Sequence, residues 1–199
     1  IDDIAKTIGL DPRIGKLFLN AGPGYGGSCL PKDMKAIINF ASNSGIKPTL
    51  LNAVEEVNTT QLQQIITIAS KRLGNLNSKR ITILGTAFKP NTDDVRDSIA
   101  IELIKKLLRK KVKITIHDPK ALENTRKIFG NKINYSRSVG DALSKSQCVI
   151  LMTQWKQYEK LGNNEFKRMT KKIVIDGRRM LSGKQLDVDY FAIGLGKEK

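Results

Sequence analysis

Residues Arg80–Asp118 read RITILGTAFKPNTDDVRDSIAIELIKKLLRKKVKITIHD. RITILG (80–85) is a short apolar, β-branched run, the signature of a strand. SIAIELIKKLLRK (98–110) is helical, with Ser98 placed to act as its N-cap. VKITIHD (112–118) alternates apolar and polar residues and returns to the strand period. Strand, helix and strand in this order make a βαβ unit. The alternation continues downstream. ALENTRKIFG is helical and KINYS a short strand. VGDALSKSQ is helical, and CVILMT (148–153) reads as a buried strand. NEFKRMT is helical, KIVIDG (172–177) a strand, and YFAIGLG (190–196) an edge strand. The predicted fold class is α/β, a Rossmann-like, mostly parallel, doubly wound sheet.

Upstream the period is helical throughout. IDDIAKTIGL places Ile1, Ile4, Ala5 and Ile8 on one face, and PKDMKAIINFASNSG begins at Pro31 and stops near Gly45. TLLNAVEEVNTTQLQQIITIASKRL (49–73) is one amphipathic helix of about 25 residues, each rising roughly 1.5 Å. A helix that long spans two domains, packs in a dimer, or lies in a core. GNLNSK (74–79) is a turn-rich hinge. The expected organisation is therefore a helical segment, 1–73, followed by a sheet domain, 74–199.

The chain has 199 residues, 40 % hydrophobic and 27 % charged, and a formal net charge of +16. Its cations are scattered. The densest block, KKLLRKKVK (105–113), is interrupted by Leu107 and Leu108 at helical spacing. This pattern suits solvated faces and an anionic small substrate better than a nucleic acid, so no nucleic-acid partner is expected. No run of eighteen apolar residues occurs and no secretory core opens the chain, so no membrane partner is expected. Two cysteines, Cys29 and Cys148, make no disulfide framework, and a reduced cytoplasmic setting is expected. The single histidine, His117, leaves too few ligands for a metal site. The first residue is Ile1 within a helical pattern, which suggests a piece of a longer protein.

AGPGYGGSCLPKD (Ala21–Asp33) satisfies G-x-G-x-x-G through Gly22, Gly24 and Gly27. A dinucleotide turn lies between a strand and a helix, with an acidic residue at the tip of the next strand. Here a helical pattern precedes the loop, and no such strand follows it. The glycines serve the thiol instead: they let the backbone approach a ligand without a Cβ in the way. Cys29 falls just before Pro31, at a helix N-terminus, where the dipole favours a thiolate. Lys32 adds positive charge. Asp33, in the first helical turn, is placed to polarise a water or accept a proton. Cys148, inside an apolar strand, reads as an inert core residue.

The segments DPRIGKLFLNAGPGYGGSCLPKDMKAI and ILGTAFKPNTDDVRDS, with VNTTQ and IDGRRML, closely resemble the nucleotide-sugar 6-dehydrogenases of the UDP-glucose/GDP-mannose dehydrogenase family. The resemblance implies an NAD cofactor bound mainly by a domain upstream of Ile1, a helical dimerisation region, and a C-terminal domain that holds the nucleotide. It implies that Cys29 is the nucleophile of the second of two oxidations and Asp33 its hydrolytic helper. It implies substrate contacts from Phe18, Leu19, Asn20, Ala21, Gly22, Gly26, Phe88, Lys89 and Arg178, with Arg179 the alternative to Arg178. Arg13 resembles an arginine completing a neighbouring subunit's site. Lys32 and Arg96 resemble cofactor contacts. Ser28 before the cysteine and Lys32 after Pro31 resemble the members acting on UDP-glucose, with GDP-mannose members the runner-up. A homodimer through 49–73, and a non-catalytic sugar-nucleotide-binding fragment, both stay open.

Overall fold

The computed structural model describes residues 1–195. Three helices come first: α1 (Asp2–Ile8), α2 (Leu30–Asn43) and α3 (Thr49–Leu73). The sheet region follows as β1 (Arg80–Leu84), α4 (Ile99–Arg109), β2 (Lys113–His117), α5 (Leu122–Phe129), β3 (Asn134–Ser136), α6 (Val139–Leu143), β4 (Cys148–Leu151), α7 (Asn163–Phe166), β5 (Ile173–Asp176) and β6 (Asp189–Ala192). The strands lie in the order β3-β2-β1-β4-β5-β6, and all five pairings are parallel. The order reverses between β1 and β4, so the crevice for a ligand opens beyond their carboxyl ends.

The α/β expectation is met, and α3 spans the residues its period predicts. The last residue of YFAIGLG, Gly196, lies outside the described residues; the strand itself covers 189–192. Two helices are shorter than their patterns. VGDALSKSQ stops at Leu143, because Lys145 turns with φ +60° to start β4. NEFKRMT yields only the four-residue α7. Ser98 stands at the N-cap of α4 but does not cap it; its hydroxyl donates to the Thr86 carbonyl at 2.7 Å. That bond ties the start of α4 back to the loop after β1.

β4 and β5 are buried along their whole lengths, as central parallel strands covered on both faces must be. α4 lays Ala100, Ile101, Leu103, Ile104 and Leu107 on the sheet. α3 divides into two halves. Leu62, Ile65, Ile66, Ala69 and Leu73 are buried toward the sheet, while Leu50 and Val57 stay exposed on the N-terminal half. Arg72 closes the far end by stacking its guanidinium over Phe191, 4.2 Å from the ring centre. α1 buries no residue, and α2 buries only Pro31.

Two buried carboxylates organise the carboxyl edge. Asp176 ends β5; its Oδ1 accepts from Arg178 N and its Oδ2 from Leu181 N and the Tyr190 hydroxyl. That carboxylate and burial together push the Tyr190 phenol up. Asp118 follows β2 and accepts from the amides of Thr86, Ala87, Lys120 and Ala121 and from the Trp155 indole.

Beside it, His117 is buried with Nδ1 2.8 Å from the Tyr158 hydroxyl. Burial pushes the imidazole below its ordinary value, against the opposing charge of Asp118 and the Arg137 backbone. The unfolded chain therefore takes up this proton first. The His117 contribution is complete above about pH 6.5 and is lost as pH falls from there through the folded value, by at most about 1.4 kcal/mol per pH unit. Between about pH 7 and pH 5 the melting temperature of the native chain is expected to fall more steeply than that of His117→Gln. Parallel curves in calorimetry exclude this contribution.

Candidate active site

The segment between α1 and α2 forms the lip of the site, because its glycines let it lie directly on the carboxyl edge of the sheet. Asn20 and Ala21 line a cleft of about 240 Å³ with Gln154, Glu159, Arg178 and Arg179. At Gly22 a β-carbon would stand 2.8 Å from a terminal nitrogen of Arg178, so only glycine allows that approach. Arg178 is half-buried, donates Nε to the Met152 carbonyl at 2.9 Å, and has no carboxylate partner among the described residues. Burial pulls its guanidinium below the usual arginine value. A desolvated cation on a cleft wall without a protein counter-ion favours an anionic ligand.

Arg179 takes a different part. With φ +57° it turns toward α1 and pairs with Asp2 through two bonds of 2.6 and 2.5 Å. Its Nε is buried without a hydrogen-bond partner among the described residues.

Farther along, the lip meets the loop after β1. The Gly27 amide donates to the Asp97 carbonyl at 3.3 Å, and a β-carbon at Gly26 would meet that same oxygen at 2.4 Å. Gly27, at φ +93°, lies against the Phe88 ring, where a β-carbon would come within 2.6 Å. Asp97 itself is held at φ +46°, a conformation that a non-glycine residue keeps only when its surroundings enforce it. The lip and the β1 loop thus form one surface. Lys89 extends from it, with Nζ 5.3 Å from the Phe88 ring centre.

Cys29 follows as the N-cap residue of α2, and its thiol is exposed. The nearest hydrogen-bonding side chain is Ser28, with Oγ 3.7 Å from the sulfur. Arg96 lies close enough to sense the sulfur. Its guanidinium is raised chiefly by its bonds to Asp94 and also, more weakly, by the Cys29 charge. Cys148 is the opposite case: fully buried in β4, its thiol is pushed well up by desolvation.

Several sequence-picked residues stand apart from this cluster. Arg13 is exposed and closes a bidentate pair with Asp11, two residues before it. Phe18, at φ +63°, points its ring into solvent at 94 % exposure, and Leu19 beside it is half-buried. The Asp33 amide, in the first turn of α2, donates to the Cys29 carbonyl at 2.9 Å. Its carboxylate stands 3.7 Å from Lys32 Nζ, both exposed, and no hydrogen bond joins it to the sulfur. Sequence reasoning gave no role to Asp97, Asp118 or Asn58, although Asn58 lies in VNTTQ and Asp97 in ILGTAFKPNTDDVRDS; their contacts are chiefly with main-chain groups.

The β1 turn does not fit a dinucleotide cradle. The Thr86 and Ala87 amides, which such a turn offers to a pyrophosphate, already bind the Asp118 carboxylate. A β-carbon at Gly85 would lie 2.5 Å from Thr153, which fills the space beside the turn. Lys32 and Arg96, the cations picked from the sequence as cofactor contacts, are both exposed and each lies beside a carboxylate, Asp33 and Asp94.

Comparison with known proteins agrees with this architecture. Residues 1–60 match the central domain of the UDP-glucose/GDP-mannose dehydrogenase family, and residues 82–183 match the UDP binding domain of the same family. The chain belongs to that family. It is 43 % identical over 188 residues to a UDP-glucose 6-dehydrogenase of Haloferax volcanii, covering 94 % of this chain and 43 % of the relative. It is 40 % identical over 200 residues to the UDP-glucose 6-dehydrogenase of Rickettsia conorii, covering 98 % and 46 %. The chain thus spans less than half the length of these relatives. Among solved structures, a UDP-glucose dehydrogenase from Pyrobaculum islandicum superposes with a TM-score of 0.86 at 35 % identity, covering 95 % of this chain and 42 % of that one. A GDP-mannose dehydrogenase from Pseudomonas aeruginosa shares the fold, with a TM-score of 0.75 at 21 % identity, covering 96 % and 44 %.

Proposed function

We propose that this chain is the substrate-binding and thiol-bearing portion of a UDP-glucose 6-dehydrogenase, which converts UDP-glucose to UDP-glucuronate by two successive two-electron oxidations. The observation that carries this reading is a single lip that lines an unpaired-arginine cleft at Asn20–Gly22 and ends in the exposed thiol of Cys29. Residues 1–73 form the helical portion and 74–199 the nucleotide-binding portion. The exposed apolar side chains Leu50 and Val57, seven residues apart on α3, suit a homodimer through that helix.

The proposed chemistry follows from the residues. Arg178 draws the anionic part of the sugar nucleotide into the cleft, and Lys89 and Phe88 close the sheet side. NAD, held mainly by a portion other than this chain, supplies the electron acceptor. An aldehyde at C6 has no hydride to give until a nucleophile adds to it, and Cys29 supplies that nucleophile as a thiolate. The resulting thiohemiacetal carbon is oxidised to a thioester on the same sulfur. Asp33, exposed one helical turn from Cys29, assists the water that releases the acid.

Calorimetric titration of the chain tests the binding half. UDP-glucose is expected to saturate it and GDP-mannose to bind more weakly. Arg178→Ala is expected to weaken UDP-glucose about 10- to 100-fold through the lost charge-assisted bonds. Mixed with NAD and UDP-glucose, the chain alone is expected to show no NADH absorbance. Absence of UDP-glucose binding removes the proposal.

A further inference from the structure

The lip is fastened from a second side, by α3. The Tyr25 amide donates to Asn58 Oδ1 at 2.8 Å, and Asn58 Nδ2 donates back to the Tyr25 carbonyl at 3.2 Å. One carboxamide therefore satisfies both main-chain groups of Tyr25, as a neighbouring strand would. Three residues earlier on the same helix face, Glu55 accepts from the Tyr25 hydroxyl. That bond and burial push the phenol up to about 12. Gly24 makes room for the clamp. At φ +113° it has no β-carbon, and one there would stand 2.5 Å from Asn58 Oδ1.

The clamp sits on a firm base, because the C-terminal half of α3 is buried against the sheet through Ile65, Ile66 and Ala69. Two residues beyond Tyr25, Gly27 is bonded to Asp97 on the β1 loop. Cys29 lies only two residues farther. We propose that Asn58 is a positioning residue for Cys29: by gripping Tyr25 from α3 while Asp97 grips Gly27, it fixes where the chain delivers the thiol at the start of α2. Its importance to turnover rests on Cys29 being the nucleophile; the grip itself does not.

The test is iodoacetamide labelling of the full chain without sugar nucleotide or NAD, followed by peptide mass analysis at Cys29. Cys148 is buried and contributes no background. Asn58→Leu removes both bonds at similar volume and is expected to change the labelling rate roughly fivefold from native, since the thiol is no longer held in one position beside Ser28 at the start of α2. Its melting temperature is expected to stay within a few degrees of native. Asn58→Asp keeps the acceptor for the Tyr25 amide and is expected to label at an intermediate rate. Gly24→Ala, whose methyl displaces the carboxamide, is expected to match Asn58→Leu although it leaves Asn58 in place. Native-rate labelling of Asn58→Leu and Gly24→Ala overturns the proposal. So does a change that merely tracks melting temperature across all three variants. Because no turnover is read, acid formation by a Cys29→Ala enzyme defeats the proposed reaction and leaves this result standing.

Discussion

In an enzyme that joins this chain to an NAD-binding portion, Cys29→Ala is expected to stop acid formation while leaving the first oxidation in place. In the proposed reaction the sulfur turns an aldehyde carbon into one that can give up a hydride. Among the described residues, neither the second cysteine nor the neighbouring serine is set up to take its part. Cys148 is buried in β4 with its thiol pushed up by desolvation, so it offers no thiolate to the cleft. Ser28 Oγ, 3.7 Å from the sulfur, is a hydroxyl with no base hydrogen-bonded to it among the described residues. The yield of UDP-glucuronate is therefore expected to fall about a thousandfold or more, the scale on which losing a nucleophile acts. The aldehyde should accumulate on the enzyme, where a carbonyl-trapping reagent captures it. Chromatographic quantification of acid and trapped aldehyde separates the two stages. Undiminished acid from Cys29→Ala would falsify the role assigned to the sulfur. Cys29→Ser refines the result, because a hydroxyl keeps the size of the side chain but adds to the aldehyde poorly.

Much of this arrangement was legible in the residues, and the part that was not has a common cause. Period decided the elements: Arg80–Leu84 and Lys113–His117 could only be strands, and Thr49–Leu73 only a helix, because their apolar spacing fits one geometry. Cys29 at the start of α2 was readable from Pro31 two residues on, a residue suited to a first turn. Arg96 and Arg178 were readable as cations near an anion only through motif resemblance. The structure then separates them: Arg96 pairs with Asp94, and Arg178 has no such partner among the described residues. Asn58, Asp97 and Asp118 were not legible. Each acts chiefly on main-chain N–H or C=O groups, most of them far away in sequence, and a main-chain group leaves no mark in the side-chain pattern. Asp33 shows the converse. Spacing alone put it one turn from the sulfur, yet the carboxylate faces Lys32 instead, because two exposed opposite charges on adjacent residues pair more readily than a carboxylate and a thiol.

Asp118→Ala is expected to be the most destabilising polar substitution in the sheet region. The carboxylate is 2 % exposed and accepts five bonds: from Thr86 and Ala87 after β1, from Lys120 and Ala121 ahead of α5, and from the Trp155 indole after β4. Its loss leaves five N–H donors at the carboxyl edge without a buried acceptor. Water entering the vacated space recovers some of them, so the net cost is expected near 3–5 kcal/mol rather than the full sum. In a chain of this size that lowers the melting temperature by roughly 6–20 °C in calorimetry. Asp118→Asn preserves volume but turns an amide donor toward other donors, and should fall between native and Ala. The consequence for the site is separable from stability. Thr86 and Ala87 lead directly into Phe88, which packs on Gly27. Well below its melting temperature, Asp118→Asn should bind UDP-glucose several-fold more weakly, because the β1 loop no longer holds Phe88 and Lys89 toward the lip. Native affinity in a folded Asp118→Asn chain would show that the loop keeps its place without the carboxylate. In a dinucleotide-binding sheet, an acidic residue at this strand end is left free for a ribose, and the first turn is left free for a pyrophosphate. Here each satisfies the other, so the sheet's own turn is closed to a cofactor. The proposed anion-binding surface lies two strands from β1, where Arg178 follows β5.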